Sequence, residues 1–174
     1  MVVLEQGGRV FAAGDSSAHS GDELFQTRLK KVFISGSFLF AYAGSFRAGQ
    51  VLEHGLSVAE QGSVDDLAYL VTVFVPAIRQ LFRDAGVLLS ENGREYCHSF
   101  LLGYNGRVYL VDNDMQINSS EDGFMALGHG AAYALGHLRG SSAVADGEQR
   151  VLGALEAAAH FSAVVRPDFH VEVL

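Results

Sequence analysis

Strand-type and helix-type segments alternate in blocks along this sequence, and the alternation limits the available folds more than any other feature. Four strand segments come first, then two helices, three strands, two helices and a last strand. Strands joined by tight turns form antiparallel sheets, and a helix with one apolar face must cover a sheet to bury that face. The pattern predicts an α+β fold with two antiparallel sheets between two helical layers.

The strand segments are identified by apolar, β-branched and aromatic runs on either side of turn residues. The paired runs are Val2–Leu4 with Arg9–Ala13, Lys31–Ile34 with Phe38–Tyr42, and Ser99–Tyr104 with Arg107–Asp112. Asn105-Gly106 between the last two runs favours a type I′ turn. Phe124–Leu127 and Phe169–Val173 are predicted single strands, Ser16–Thr27 is irregular or short strand, and Gly86–Glu95 is a loop.

The helical segments are identified by apolar residues three and four positions apart. Ser45 is placed to cap a first helix, and Asp65-Asp66 opens a longer one that contains Pro76. Proline distorts or ends a helix, so we expect a kink near Val73–Val75 or a stop there. The remaining helices are predicted at Gly130–Leu138 and at Asp146–Val165, ahead of Pro167.

Length and composition restrict the class of protein. The 174 residues suit one domain spanning 1–174. A net charge of −8 without a basic cluster disfavours a nucleic-acid partner. The longest apolar run, Leu67–Ile78, is too short to cross a membrane, and Met1–Gly8 lacks the basic start of a secretory signal. With Cys97 as the single cysteine, we expect a soluble protein of a reducing compartment, the cytoplasm.

Common catalytic and metal-binding motifs are absent from the sequence. The seven histidines show no ligand spacing, and Asp112-Asn113-Asp114 lacks the rest of a calcium loop. Gly44-Ser45-Phe46 is not a nucleophile elbow. We therefore expect no metal and no cofactor, and an inert Cys97 thiol.

Asp15 and Lys31 form the most informative pair of charged residues. Asp15 ends the second strand and Lys31 opens the third, so adjacent strands could bring carboxylate and ammonium together beside the first strand. Such a pair is either a surface ion pair of little consequence or part of a site.

Several segments, in order, resemble proteasome β-type subunits, especially the bacterial HslV peptidase and the small proteasome-like Ntn hydrolases of bacteria and phages. The matching segments are Gly7–Ser16, Leu29–Val32, Phe40–Ser45, Phe100–Asp112, Ala126–Gly136 and Ala154–Ala158, and they are distributed over nearly the whole chain. The resemblance implies a four-layer αββα Ntn-hydrolase sandwich.

The resemblance also implies roles for individual residues. In the family an amino-terminal threonine is the nucleophile and its own amine is the base. Lys31 matches the lysine that lowers the pKa of this amine, Asp15 the aspartate that holds the lysine, and Gly44 the glycine whose N–H binds the oxyanion. Ser45 and Phe46 would line the substrate cleft. His129 stands where the family has a serine that supports the amine, and it either alters that network or is a turn residue without a role.

The nucleophile itself is the largest departure from the family pattern. The family spacing places the threonine two residues before Met1, and Met1–Leu4 holds no Thr, Ser or Cys. One interpretation is an active threonine peptidase whose start lies two residues further upstream. A second is an inactive proteasome-like subunit with an assembly, binding or virion-associated role. A third is an unrelated binding domain in which Asp15 and Lys31 form only an ion pair.

The resemblance implies several partners. We expect a peptide or protein substrate, a homo-oligomeric ring and a possible ATPase partner, with no nucleic acid and no membrane. A phage-encoded member would act in the host cytoplasm.

Overall fold

Two antiparallel sheets lie face to face at the centre of the structure, a computed structural model that describes residues 1–20 and 22–174. The strand order of the first sheet is β12 (Phe124–Ala126), β1 (Val2–Gln6), β2 (Arg9–Asp15) and β13 (Phe169–Val173). That of the second is β11 (Ile117–Ser119), β10 (Arg107–Val111), β9 (Phe100–Tyr104), β6 (Phe38–Tyr42) and β5 (Val32–Ser35). The predicted pair of antiparallel sheets is confirmed.

Alternate residues of β1 face opposite layers of the core. Val3 packs with Val10 and Ala12 against the second sheet, whereas Val2 and Leu4 pack against the helices on the other side. Because both faces are buried, the strand is a continuous apolar run rather than an alternating one.

One helical layer covers each sheet, which completes the predicted αββα order. The second sheet is covered by α1 (Phe46–Gly55), α2 (Asp66–Tyr69) and α3 (Val75–Asp84), and the first by α4 (Ala131–Gly140) and α5 (Gly147–Phe161). The Ser45 hydroxyl accepts a hydrogen bond from the Ala48 N–H at 3.1 Å, as predicted for the cap of α1. Within the described residues, every helix is too short or too polar to cross a lipid bilayer.

The chain passes from α2 to α3 through a π-helical turn at Leu70–Phe74, immediately before Pro76. Proline has no N–H to donate, and its ring collides with the carbonyl four residues earlier in a regular helix. A wider turn relieves both problems. The distortion therefore lies where Pro76 predicts it, but the helix continues instead of stopping.

Two short hairpins and one strand were predicted only in part or not at all. Ser16–Thr27, predicted as irregular or short strand, forms a hairpin of the short strands β3 (Ser17–Ser20) and β4 (Glu23–Gln26), with Gly21 outside the described residues. The predicted loop Gly86–Glu95 contains most of a second hairpin, β7 (Leu89–Glu91) and β8 (Arg94–Tyr96), and β11 was not predicted. These strands are short and largely polar, so they lack the apolar pattern that the prediction used.

The Asn105-Gly106 turn agrees with the sequence prediction, whereas the end of α5 does not. Asn105 and Gly106 have φ values of +48° and +74°, as a type I′ turn requires. Helix α5 ends at Phe161 rather than at the predicted Val165, because Ser162 leaves the helical conformation with φ −100° and ψ 126°.

Candidate active site

Met1, the residue before β1, is buried. The Met1 amine donates to the Leu127 carbonyl at 3.0 Å, and the Leu127 N–H donates back to the Met1 carbonyl at 3.0 Å. Burial lowers the pKa of this amine to about 6; Asp15 acts in the opposite direction and Lys31 in the same one. A buried amine of this kind is uncharged at neutral pH and can accept a proton.

Asp15 and Lys31 meet beside this amine. The Lys31 Nζ donates to Asp15 Oδ1 at 2.7 Å, and both side chains are largely buried, with exposed fractions of 14% and 6% for Lys31 and Asp15. Burial raises the pKa of Asp15, but hydrogen bonds from Lys31 and Ser17 more than offset this, so its pKa is lowered overall. The structure therefore contains the ion pair that the strand ends predicted, and the pair is not at the open surface.

Ser17 donates the remaining hydrogen bonds to Asp15, a role that was not predicted from the sequence. Its N–H donates to Asp15 Oδ2 at 3.2 Å, and its hydroxyl donates to the same oxygen. The hydroxyl also contacts the Val164 carbonyl at 2.5 Å. An Asp followed two positions later by Ser is a local signal for such a turn-type contact, but the contact with Val164 joins positions 147 residues apart and has no local signal.

A cavity of about 280 Å³ connects these groups with the other predicted residues. Its lining includes Met1, Asp15, Ser17, His19, Lys31, Gly44, Phe46 and His129. Ser45 is not part of the lining, because its hydroxyl is engaged in capping α1. Of the predicted residues, Asp15, Lys31, Gly44, Phe46 and His129 are thus brought together around one cavity.

Gly44 occupies a position that only glycine fits well. Its φ is +83°, in the left-handed region, and a methyl group placed on it would lie 3.0 Å from Nδ1 of His98. The backbone reaches the cavity here without a side chain, which an oxyanion-binding N–H requires. The proximity of His98 to Gly44 brings together two segments distant in sequence and was not predicted.

His129 lies on the turn between β12 and α4, at the mouth of the cavity. Its ring contacts that of His19, with centroids 4.9 Å apart and ring planes at 75°. The next residue, Gly130, is enclosed, because a methyl group on it would lie 2.7 Å from Cβ of Ala158.

The described residues contain no group of three or more His, Cys, Asp or Glu side chains placed to hold a metal ion.

No protein-family model and no curated protein sequence matches the chain. Solved structures do match over nearly its whole length. BPH, a bacterial proteasome homologue from Thiobacillus denitrificans, is 19% identical with a TM-score of 0.82, and the match covers 99% of this chain and 96% of that one. Eukaryotic HslV from Trypanosoma brucei is 17% identical with a TM-score of 0.68, and the match covers 99% of this chain and 97% of that one. Anbu from Yersinia bercovieri is 15% identical with a TM-score of 0.66, and the match covers 99% of this chain and 79% of that one.

The chain has the fold of the proteasome-like Ntn hydrolases. The expected αββα Ntn-hydrolase architecture is thereby confirmed, although identities below 20% establish the fold and not the activity. The start of β1 adjoins the Asp15–Lys31 pair in this fold.

Proposed function

We propose that this chain is a subunit of a proteasome-like peptidase, which hydrolyses peptide bonds with an amino-terminal threonine located just upstream of Met1. The observation that carries the proposal is that the residue preceding β1, the buried Asp15–Lys31 ion pair and the Gly44 backbone line one cavity. A neutral amine, a paired lysine and an accessible backbone N–H are the groups that amino-terminal nucleophile chemistry uses.

The register of β1 and β2 indicates where an upstream nucleophile would lie. Val2 pairs with Ala13, so the first residue before Met1 would stand opposite Asp15 and the second opposite Ser16. The family spacing places the threonine at the second of these positions. Ser16 is buried, and its hydroxyl has no hydrogen-bond partner among the described residues. A polar residue opposite would supply that partner, because directly opposed residues of an antiparallel pair share a face.

The chemistry at this position follows from the groups around it. The threonine hydroxyl would add to the peptide carbonyl while the free amine takes the hydroxyl proton, and the Gly44 N–H would bind the resulting oxyanion. The amine would return the proton to the leaving nitrogen, and water would then hydrolyse the ester. Lys31 would favour the neutral amine through its charge, and Asp15 would hold Lys31 in place.

His129 favours a second candidate function, an inactive subunit with an assembly, binding or virion-associated role. An imidazole there is larger than the family serine, so it would change the surroundings of the amine. A chain whose mature form begins at Met1 also has no hydroxyl or thiol in Met1–Leu4. In either function we propose a homo-oligomeric ring, with an ATPase as a possible partner of the active form.

The test of the proposed function compares two neighbouring lysines. Amino-terminal sequencing and intact mass of the natively expressed protein establish its first residue, and hydrolysis of fluorogenic peptides establishes activity. Lys31→Ala is expected to abolish hydrolysis with the oligomer intact, as judged by sedimentation. Lys30→Ala is the matched control, because Lys30 is half exposed and pairs with Glu172 at the surface. A native chain that begins at Met1 and does not cleave peptides would exclude the peptidase.

A further inference from the structure

The contact between His19 and His129 brings two imidazoles from distant segments to the mouth of the cavity. His19 belongs to β3 and His129 to the turn before α4, and both rings are exposed and line the same cavity. Neither residue is needed to fill the core, so the pair requires an explanation other than packing.

The other titratable groups of the cavity are already neutralised or paired. Asp15 is the one carboxylate among the described residues of the lining, and its oxygens are engaged by Lys31 and Ser17. Burial raises the pKa of Tyr42 to about 12, and its hydroxyl donates to the Lys30 carbonyl at 3.1 Å. In a chain that begins at Met1, the Met1 amine, with a pKa of about 6, is mostly uncharged at pH 7.

His19 and His129 are therefore the cavity groups with N–H donors and no carboxylate partner among the described lining residues. On a chain with a net charge of −8, this cavity mouth is a place where an anion meets donors instead of like charge. Histidine donates in its neutral form and carries a positive charge when protonated, and both states suit a carboxylate.

We infer that His19 and His129 together bind a carboxylate of the peptide that occupies the cavity. This carboxylate is either an acidic side chain near the cleaved bond or the carboxyl terminus of a product. The inference rests on the proposed function only in taking a peptide as the ligand. It adds a preference for acidic peptides, set by two residues outside the Asp15–Lys31 pair.

The alternative is that the two rings make only an aromatic contact between neighbouring segments. Phenylalanine preserves such a contact but has no N–H and no charge. His19→Phe and His129→Phe therefore separate the two explanations. His129→Asn keeps an N–H donor without the positive charge, and it serves if a Phe variant does not fold. His54→Phe on α1 is the matched control, since His54 is highly exposed and does not line the cavity.

The experiment measures binding of short labelled peptides to the natively expressed protein by fluorescence anisotropy at one pH near neutrality. Three peptides share one apolar sequence: the first has Glu and an amidated carboxyl terminus, the second has Gln and an amidated carboxyl terminus, and the third has Gln and a free carboxyl terminus. We expect one of the two carboxylate peptides to bind about ten-fold more tightly than the amidated Gln peptide. Which of the two binds identifies the source of the carboxylate.

The His variants separate this effect from any contribution of the amine at the start of the chain, which they leave unchanged. The preference should be lost in both Phe variants, reduced in His129→Asn and retained in His54→Phe. Equal binding of all three peptides, no binding, or a preference that survives both Phe substitutions would overturn the inference.

Hydrolysis of the same peptides is recorded separately, so the two proposals can fail independently. Selective binding without hydrolysis would support the carboxylate site and exclude the peptidase function. Hydrolysis without a carboxylate preference would support the peptidase function and exclude the carboxylate site.

Discussion

The two sides of the cavity are built differently. On one side Asp15 is buried, and Lys31 and Ser17 together engage both of its oxygens. On the other side His19 and His129 are exposed and contact each other through their rings. The first side is a rigid arrangement whose parts depend on one another, whereas the second can lose a member without exposing a buried charge. Stability should therefore be concentrated on the Asp15 side, and ligand selection on the histidine side.

The largest expected effect comes from breaking the ion pair. Lys31→Met leaves the Asp15 carboxylate buried without its cation, which costs about 3 kcal/mol of unfolding free energy in urea. Adding Asp15→Asn should restore much of this loss, because the uncompensated charge is then gone. Lys30→Met, at an exposed pair, should change stability by less than about 0.5 kcal/mol. Equal losses of unfolding free energy in Lys31→Met and Lys30→Met would contradict the proposal that stability is concentrated on the Asp15 side of the cavity.

The next effect concerns pH and a chain that begins at Met1. Between about pH 6 and 8 the unfolded amine binds a proton that the folded amine does not, so the unfolding free energy should rise with pH across this window. A shift from 8.0 to about 6 corresponds to roughly 2–3 kcal/mol. Chemical denaturation at several pH values measures the rise, and an amino-terminally acetylated chain is the control that should lack it. A flat profile would mean that the amine is not buried.

Two adjacent serines give a finer comparison within the buried side. Ser17→Ala removes the hydroxyl that joins Asp15 to Val164, and it should cost about 1–2 kcal/mol. Ser16→Ala removes a buried hydroxyl with no partner among the described residues, and it should be neutral or stabilising in a chain that begins at Met1. Thermal and urea unfolding of both variants test this, and a larger loss from Ser16→Ala would contradict it.

The smallest effect is expected on the histidine side. His129→Phe should change the unfolding free energy by no more than about 0.5 kcal/mol, because the side chain is exposed and the ring contact is preserved. A loss above 2 kcal/mol in urea unfolding would assign His129 to the core instead of to a ligand site.

Much of the fold could be predicted from the sequence, because its core strands and helices carry strong apolar periodicity. The strand ends indicated that Asp15 and Lys31 could meet, but whether they form a surface ion pair or part of a site stayed open until the structure showed both side chains largely buried. His19 could not be placed, because Ser16–Thr27 is polar and its hairpin has no apolar alternation. The contact of Ser17 with Val164 depends on how the chain packs over long separations, which no local pattern encodes.

The proposed amino-terminal nucleophile is tested most directly by the mass of the natively expressed protein after incubation with epoxomicin. One structure of the Thiobacillus denitrificans BPH is a complex with this compound. An active amino-terminal threonine beside Lys31 predicts a mass increase of one inhibitor per chain, and a much slower increase in Lys31→Ala. An unchanged mass would contradict the peptidase function.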